Sequence, residues 1–212
     1  MNEEIIKVAP EVVKTTLPQL ANSVYQDLLS PAMKKAGQAL GNVIDFATLS
    51  FIPLEYVSAR IRMNIDKNLK NYQKKLDAVP ENEIRNVEPE IGVPIVEKLS
   101  YTTCEEIAEM YTTLLAKAST TATVNQAHPS FIQFLERMSV DEAKILKFLD
   151  GKVDFVCVRP KYYREENGGY IQIDGDITEL DDNVSLLFPQ NINSYIDNLC
   201  SIGVLMRKSG CY

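Results

Sequence analysis

The chain has 212 residues, of which 45% are hydrophobic and 24% are charged, and it carries a formal net charge of −7. This length allows a sizeable buried core, and this composition excludes a chain that is disordered throughout. No run of 18 uncharged apolar residues is present, and the first residues, MNEEIIKVAPEVVK, contain no long apolar stretch. We therefore expect neither a membrane-spanning helix nor a secretory signal.

Cysteine and histidine usage argues against the common kinds of catalytic and metal site. The four cysteines form no CxxC pair, the single histidine is His128, and the chain contains no GxxxxGK[ST], GxGxxG, GxSxG or HExxH motif. We predict no catalytic, metal-binding or cofactor-binding residues, and hence a protein that is not an enzyme. Without an export signal, we expect it in the cytoplasm, with its thiols reduced.

Helical signals fill the first 150 residues. Ser30-Pro31 is typical of a helix start, and Pro53 predicts a second one. This second helix should end before Pro80, because a residue that precedes proline is disfavoured in the helical region. Apolar residues at helical spacing define its buried stripe: Ile61, Ile65, Leu69, Tyr72 and Leu76.

The middle of the chain alternates proline-rich or polar connectors with further helices. Residues 79–94, VPENEIRNVEPEIGVP, are predicted to be a connector, and residues 119–126 a polar loop. Helices are predicted over 93–99, 105–118 and 129–138. A capping box at Ser139 and Glu142 begins another helix, which should bury Ala143, Ile145, Leu146, Phe148 and Leu149 and end near Gly151.

Beyond residue 150 the pattern changes to short strands. Residues 153–157 and 170–173 alternate as strands do, and the acidic stretch 174–183 is predicted to be loop. A helix over 191–202, a C-terminal cap at Gly203 and a strand over 204–206 complete a winged-helix-like pattern. We therefore predict a mainly α fold, with a helical domain over 1–150 and a small α+β winged-helix-like unit over 151–212.

Several segments resemble one bacterial family. They are VYQDLLSPAMKKAGQALGNVIDF (24–46), EPEIGVPIVEKLSYT (88–102), AHPSFIQFLERMSVDEAKILKFL (127–149) and NINSYIDNLCSIGVLM (191–206). Together they resemble the abortive-infection alpha (Abi-alpha) family, a domain of unknown function. The resemblance implies a link to phage defence, in which infected cells stop growing or die before progeny spread, and it implies no reaction.

One helix carries a basic face that is a candidate for interactions. Arg60, Lys67, Lys70 and Lys74 lie on one side of a helix with 3.6 residues per turn. After the largely apolar segment 40–57, this face could bind an anionic membrane surface. We favour the alternative in which segment 40–57 is a core helix and the basic face is solvated. Asp45 and Glu55 would be costly in lipid.

The C-terminal unit offers a second alternative, namely nucleic-acid binding. Its helix over 191–202 contains Asn191, Asn193 and Asn198 but no lysine or arginine, and residues 151–212 carry six Lys/Arg against nine Asp/Glu. We therefore favour a protein-interaction module. The predicted partner is a host or phage protein. Nucleic acid and membrane are less favoured as partners, and a homo-oligomer is a further alternative.

The remaining reactive side chains are interpreted as structural. His128 is expected to cap a helix or pack in a loop, and Cys157 and Cys200 to be buried as small apolar residues. Cys104 lies near a helix start, where a lowered pKa is an alternative. The acidic cluster 105–109 suits the first turn of a helix, and the cluster 174–182 lacks the spacing of a calcium loop.

Overall fold

The computed structural model describes residues 30–50, 59–152, 154–158, 160–164, 168–172 and 177–207. The chain is mainly helical and its short strands lie in its C-terminal part, which confirms the predicted fold class. The helix start predicted at Pro53 lies outside the described residues. Contacts divide the chain into two compact units, Met1–Leu135 and Glu136–Tyr212.

The first unit is built from helices. A 3-10 turn, Pro31–Met33, leads into α1. The helices are α1 Lys34–Ser50, α2 Ala59–Asp77, α3 Pro89–Tyr101, α4 Glu105–Ala118 and α5 Ser130–Glu136, the last ending at the boundary between the units. The helix start at Pro31, the end of α2 before Pro80 and the bounds of α4 follow the sequence prediction.

The core of the first unit lies where α1 to α4 meet. The predicted stripe of α2 points into it, with Leu69, Tyr72 and Leu76 at most 3% exposed, while Ile65 is partly buried. Further fully buried side chains come from the other three helices, namely Leu40, Val43, Ile95, Leu99 and Leu115. Leu40 and Val43 therefore confirm that the apolar segment begins as a core helix, as far as the structure describes it.

Polar groups inside this unit are paired. The Tyr72 hydroxyl and Ser119 Oγ form a buried hydrogen bond, and burial raises the pKa of Tyr72 well above its ordinary value despite that bond. Lys35 Nζ donates to the carbonyls of Leu76 and Asp77, at 3.0 and 2.9 Å. These carbonyls are at the end of α2, where a cation is favourable, so Lys35 joins α1 to α2.

Helix α3 begins earlier than the sequence predicts. It starts at Pro89, inside the predicted connector, and it contains Pro94. The prediction of a start at residue 93 was wrong, because the helix tolerates Pro94 in its interior, where proline removes one backbone hydrogen-bond donor. Packing fixes the start: Ile91 and Gly92 are buried, and Gly92 lies against Val43 of α1.

The connector itself is held by backbone hydrogen bonds. The N–H of Arg85 donates to Ser119 O at 2.9 Å, and the N–H of Thr121 donates to Glu83 O at 3.0 Å. Ile84 and Thr120 form a single β-bridge between these two segments. The predicted polar loop 119–126 is thus tied to the connector, and it buries Ser119 and Thr120.

The second unit combines helices with two small sheets. Its helices are α6 Val140–Leu149, α7 Leu180–Asn183 and α8 Ile192–Ser201, and its strands are β1 Cys157–Val158, β2 Lys161–Arg164, β3 Gly169–Gln172 and β4 Ile177–Thr178. Strand β1 pairs with β4 and β2 pairs with β3, both antiparallel. The capping box predicted at the start of α6 is present in full, with both of its hydrogen bonds.

Several predictions for this unit were wrong in detail. Strand β1 is shorter than the predicted 153–157, and the predicted loop 174–183 contains β4 and α7. Strand β2 was not predicted, because KYYR does not alternate between polar and apolar residues. In α6, Ala143 and Ile145 are buried, whereas Leu146, Phe148 and Leu149 are only partly buried.

The segment after α8 is not a strand. Gly203 has a φ of 78° and its N–H donates to Cys200 O, while the N–H of Val204 donates to Leu199 O at 3.0 Å. This is a Schellman motif, in which the chain turns back over the helix end. The predicted cap at Gly203 is therefore confirmed, and the predicted strand over 204–206 is wrong because its first N–H groups bind the helix.

The contacts group α6 with the second unit rather than with the helices before it. Helix α6 contacts α8, and the unit boundary lies between Leu135 and Glu136. The predicted domains, 1–150 and 151–212, stay a prediction, as does the winged-helix-like arrangement of the second unit.

Candidate protein-interaction surface

The basic face of α2 keeps its predicted position on the helix. Lys67, Lys70 and Lys74 are exposed, on the side away from the buried stripe, and the side chain of Arg60 lies outside the described residues. Lys67 Nζ lies 2.5 Å from Glu105 Oε1 of α4, and Lys75 pairs with Glu109. These carboxylates offset part of the positive charge, so the face is less basic than its sequence indicates.

The strands of the second unit expose an unusual amount of apolar surface. We call the exposed apolar side chains on the strands, together with Val156 directly before β1, the strand patch. Each is at least 44% exposed: Val156, Val158, Tyr162, Tyr163, Tyr170, Ile171 and Ile177. Large exposed apolar side chains concentrated in one short part of a chain are candidates for contact with another protein. Sequence reasoning missed this patch, because two adjacent tyrosines in β2 gave no alternating pattern.

The register of β2 and β3 places apolar pairs on both faces of their hairpin. Tyr162 lies opposite Ile171, and Tyr163 lies opposite Tyr170. Because successive side chains of a strand point to opposite faces, the two pairs occupy different faces. The rings of Tyr163 and Tyr170 are 6.1 Å apart. The hairpin therefore presents aromatic side chains on each face.

A buried acidic group positions the loop that precedes α8. Asp141, only 2% exposed, accepts hydrogen bonds from the N–H groups of Leu187 and Phe188 at 2.7 and 2.9 Å, and from the Tyr195 hydroxyl at 3.0 Å. Lys144 Nζ lies 3.7 Å away. Burial raises the pKa of Asp141, but these hydrogen bonds and the Lys144 charge outweigh it, so the pKa lies below its ordinary value.

A second buried carboxylate completes this network. Glu142, 3% exposed, accepts from the N–H of Ser139 and from Asn198 Nδ2, the latter at 2.7 Å. Asn198 Nδ2 also donates to the carbonyl of Arg137 at 3.0 Å. Asn198, one of the three asparagines weighed for base recognition, is therefore used inside the fold. The sequence predicted Glu142 only as a member of the capping box and predicted no role for Asp141.

His128 lies at the start of α5 and is exposed. Its Nδ1 accepts the N–H of Ser130 at 3.1 Å and lies 2.8 Å from Ser130 Oγ. Its ring contacts Phe131 edge-on. This geometry is that of a helix cap, which agrees with the structural interpretation of His128.

The cysteines differ from their expected environments. Cys157 is exposed rather than buried, because β1 is a short strand at the surface, and Cys200 is only partly buried. Cys104 precedes α4, but burial, reinforced by the neighbouring Glu106, raises the pKa of its thiol above the ordinary value. The pKa shift of Cys104 is therefore opposite to the lowered value that its place near a helix start suggested. Cys211 lies outside the described residues.

The described residues hold neither a cluster of metal-ligand side chains nor a helix suited to crossing a membrane. There, no three His, Cys, Asp or Glu side chains are grouped as metal ligands would be. The described helices also include none with both the length and the apolar character needed to cross a bilayer. Asp174 and Asp176 of the second acidic cluster lie outside the described residues, and Glu179 lies 3.9 Å from Lys152 Nζ.

Comparison with known proteins gives one match. No curated protein and no solved structure matches the chain. The family model described as "Abortive infection alpha" matches residues 62–210, which covers most of both compact units. The chain therefore belongs to the abortive infection alpha family, as its sequence segments indicated.

Proposed function

We propose that the protein has a role in abortive infection, a form of phage defence, because it belongs to the abortive infection alpha family. We propose that the protein fulfils this role in the cytoplasm by binding a host or phage protein, and that it catalyses no reaction. Nucleic acid and membrane are not the partners in this proposal.

The exposed strand patch is the observation that supports this proposal. Tyr162 and Tyr163 are 61% and 69% exposed, and tyrosine is among the residues that dominate binding energy at protein interfaces. Isolated exposed apolar residues are ordinary, but here six lie on four short strands and a seventh, Val156, directly precedes β1. In the sequence around these strands, lysine and arginine residues are mixed with aspartate and glutamate. Such mixed charge suits a protein partner better than a phosphate backbone, which needs an excess of cations.

Affinity capture from phage-infected and uninfected cells tests the proposal. The bait is the full chain, compared with Tyr162→Ser/Tyr163→Ser on the strand patch and with Lys70→Ala/Lys74→Ala on the basic face of α2. We expect a protein enriched from infected cells that the tyrosine variant binds at least about tenfold less, since loss of hot-spot tyrosines typically costs 2 kcal/mol or more. The lysine variant should bind it as the parent does.

Plaque assays with the same variants connect binding to defence. We expect the tyrosine variant to lose phage protection and the lysine variant to keep it, with both variants melting like the parent. Loss of protection only in the lysine variant would move the interaction to the basic face of α2. Full protection by the tyrosine variant would contradict a role for the strand patch.

A further inference from the structure

The hairpin of β2 and β3 exposes apolar side chains on both of its faces. Tyr162 and Ile171 lie opposite each other on one face, where they are 61% and 44% exposed. Tyr163 and Tyr170 lie opposite each other on the other face, where they are 69% and 54% exposed. Successive side chains of a strand point to opposite faces, so the adjacent Tyr162 and Tyr163 belong to different faces. The fold therefore leaves both apolar pairs at the surface.

A two-stranded hairpin gains stability from packing on its faces. Two strands alone are only marginally stable in water, and independent stability requires a third strand or packing against another element. The described strands β2 and β3 form a two-stranded sheet. Covering an apolar pair removes it from water and holds the two strands together. A partner that covers both faces therefore stabilises the hairpin more than one that covers a single face.

The area of one face is too small for a specific complex. A fully buried aromatic side chain contributes about 150–250 Å², so each pair exposes on the order of 200 Å². Specific interfaces bury about 800 Å² per partner, and a flat surface that reaches one pair obtains roughly a quarter of that area. A cleft reaches both pairs at once and doubles the apolar contact, to on the order of 400 Å². The area thus favours a cleft.

We propose that the partner protein holds the hairpin in a cleft, with one wall against Tyr162 and Ile171 and the opposite wall against Tyr163 and Tyr170. The walls are apolar where they meet these side chains. A tyrosine hydroxyl needs a hydrogen-bond partner when it is buried, so the cleft also carries polar groups near the ends of the rings. This inference rests on the proposed function and deepens it, because it states the shape and chemistry of the partner's surface.

Site-specific photocrosslinking with the full chain tests the cleft. The photoreactive residue p-benzoylphenylalanine replaces Tyr162 in one variant and Tyr163 in another, and each variant is irradiated in phage-infected cells. We expect both to crosslink to the same protein, at two different segments of it, because the two side chains point to opposite walls. The same replacement at Tyr101 is the control. Tyr101 ends α3, is 48% exposed and lies outside the strand patch, so it should not crosslink to that protein.

Single substitutions compare the two faces in binding. Tyr162→Ser and Tyr163→Ser make the same chemical change in the same strand, one on each face. Affinity capture of the crosslinked protein should fall about tenfold in each variant, because each removes an anchor from one wall of the cleft. Tyr101→Ser should bind as the parent does. Circular dichroism and melting temperature check that each variant is folded.

The outcomes separate the cleft from the proposed function. If only one of the two positions crosslinks, or only one serine variant on β2 weakens binding, the partner lies flat on one face. The cleft is then overturned, while the proposed function stands. Crosslinks to two different proteins, to nucleic acid, to a second copy of the chain or to nothing would also overturn it. If, in addition, Tyr162→Ser and Tyr163→Ser both bind as the parent does, the strand patch is not the binding surface and the proposed function fails as well.

Discussion

At the scale of single residues, the second unit depends on a carboxylate that the fold keeps charged. Asp141 is almost completely buried, yet two backbone N–H groups, the Tyr195 hydroxyl and Lys144 compensate its charge. A buried charge without partners would be strongly destabilising. Asp141 therefore joins the start of α6 to the loop that leads into α8.

Replacing Asp141 tests this role. In Asp141→Asn, the amide can accept fewer of the three hydrogen bonds, and we expect the free energy of unfolding to fall by about 2–3 kcal/mol. Urea denaturation measures the change. Asp197→Asn is the control, because Asp197 pairs with Arg207 at the surface and should matter by less than about 0.5 kcal/mol. Equal losses in both variants would contradict the role of Asp141.

The stability difference between the parent and Asp141→Asn should depend on pH. The folded pKa of Asp141 is lower than the unfolded value of about 3.9, so its contribution is complete at neutral pH and is lost as pH falls through the folded pKa. The stability difference between the parent and Asp141→Asn should therefore shrink below about pH 4. Urea denaturation from neutral to acidic pH checks this. A difference that stays constant in acid would exclude Asp141 as its source.

Replacing His128 tests whether this residue has a structural or a catalytic role. Its Nδ1 caps α5, so His128→Gln should cost about 0.5–1 kcal/mol of stability and leave phage protection intact. Thermal melting and a plaque assay measure the two effects. If a variant that melts like the parent lost all protection, His128 would need a chemical role.

At the scale of elements, close packing of α1 and α3 depends on Gly92. A Cβ atom added there would lie 2.3 Å from Val43 Cγ2, which is shorter than any ordinary contact. Only glycine lets the two helices approach so closely, and this contact helps to fix the early start of α3.

Gly92→Ala is therefore expected to destabilise the protein by about 1–3 kcal/mol, in spite of the higher helix propensity of alanine. Gly41→Ala is the control: Gly41 lies in α1 with nothing within 4 Å of an added Cβ, so it should gain about 0.5–1 kcal/mol. Adding Val43→Ala to Gly92→Ala should recover part of the loss through relief of the clash. A neutral Gly92→Ala would exclude tight packing there.

At the scale of the whole molecule, the excess of acidic residues limits nonspecific binding of nucleic acid. Residues 151–212 carry six Lys/Arg against nine Asp/Glu, and α8 contains no cation. We expect binding of duplex DNA no tighter than the nonspecific range of about 10⁻⁴ to 10⁻⁶ M at near-physiological salt. Fluorescence anisotropy with a random duplex library measures it.

A sequence-selective complex in the nanomolar range would contradict the protein-partner proposal. Asn191 and Asn193 would then be the positions to substitute. Asn198 would be a poor choice, because it holds Glu142 and the carbonyl of Arg137 inside the second unit.

The membrane alternative has a separate test. The formal net charge is −7, and Lys67 of the basic face is paired with Glu105. Salt screens exposed charges beyond about 8 Å at physiological ionic strength. In flotation with vesicles of anionic lipid, the protein should stay in the bottom fraction. If it rises with the vesicles, the basic face and the preceding apolar segment bind membrane.

The amino-acid sequence by itself determined the features that depend on neighbouring residues. The capping box at Ser139, the bounds of α4, the end of α2 and the alignment of Lys67, Lys70 and Lys74 all follow from local spacing. Family membership was also recognisable from four segments of sequence, and the match over residues 62–210 confirms it.

Tertiary structure decided the features that depend on distant partners. Strands β1 to β4 have two to four residues each, so their pairing rather than their pattern defines them. Tyr162 and Tyr163 are adjacent in β2 and both exposed, so neither face of the hairpin is covered at these positions. Asp141 is buried because N–H groups 46 and 47 residues away meet it. Local propensity cannot encode such contacts, since their energy appears only when remote segments come together.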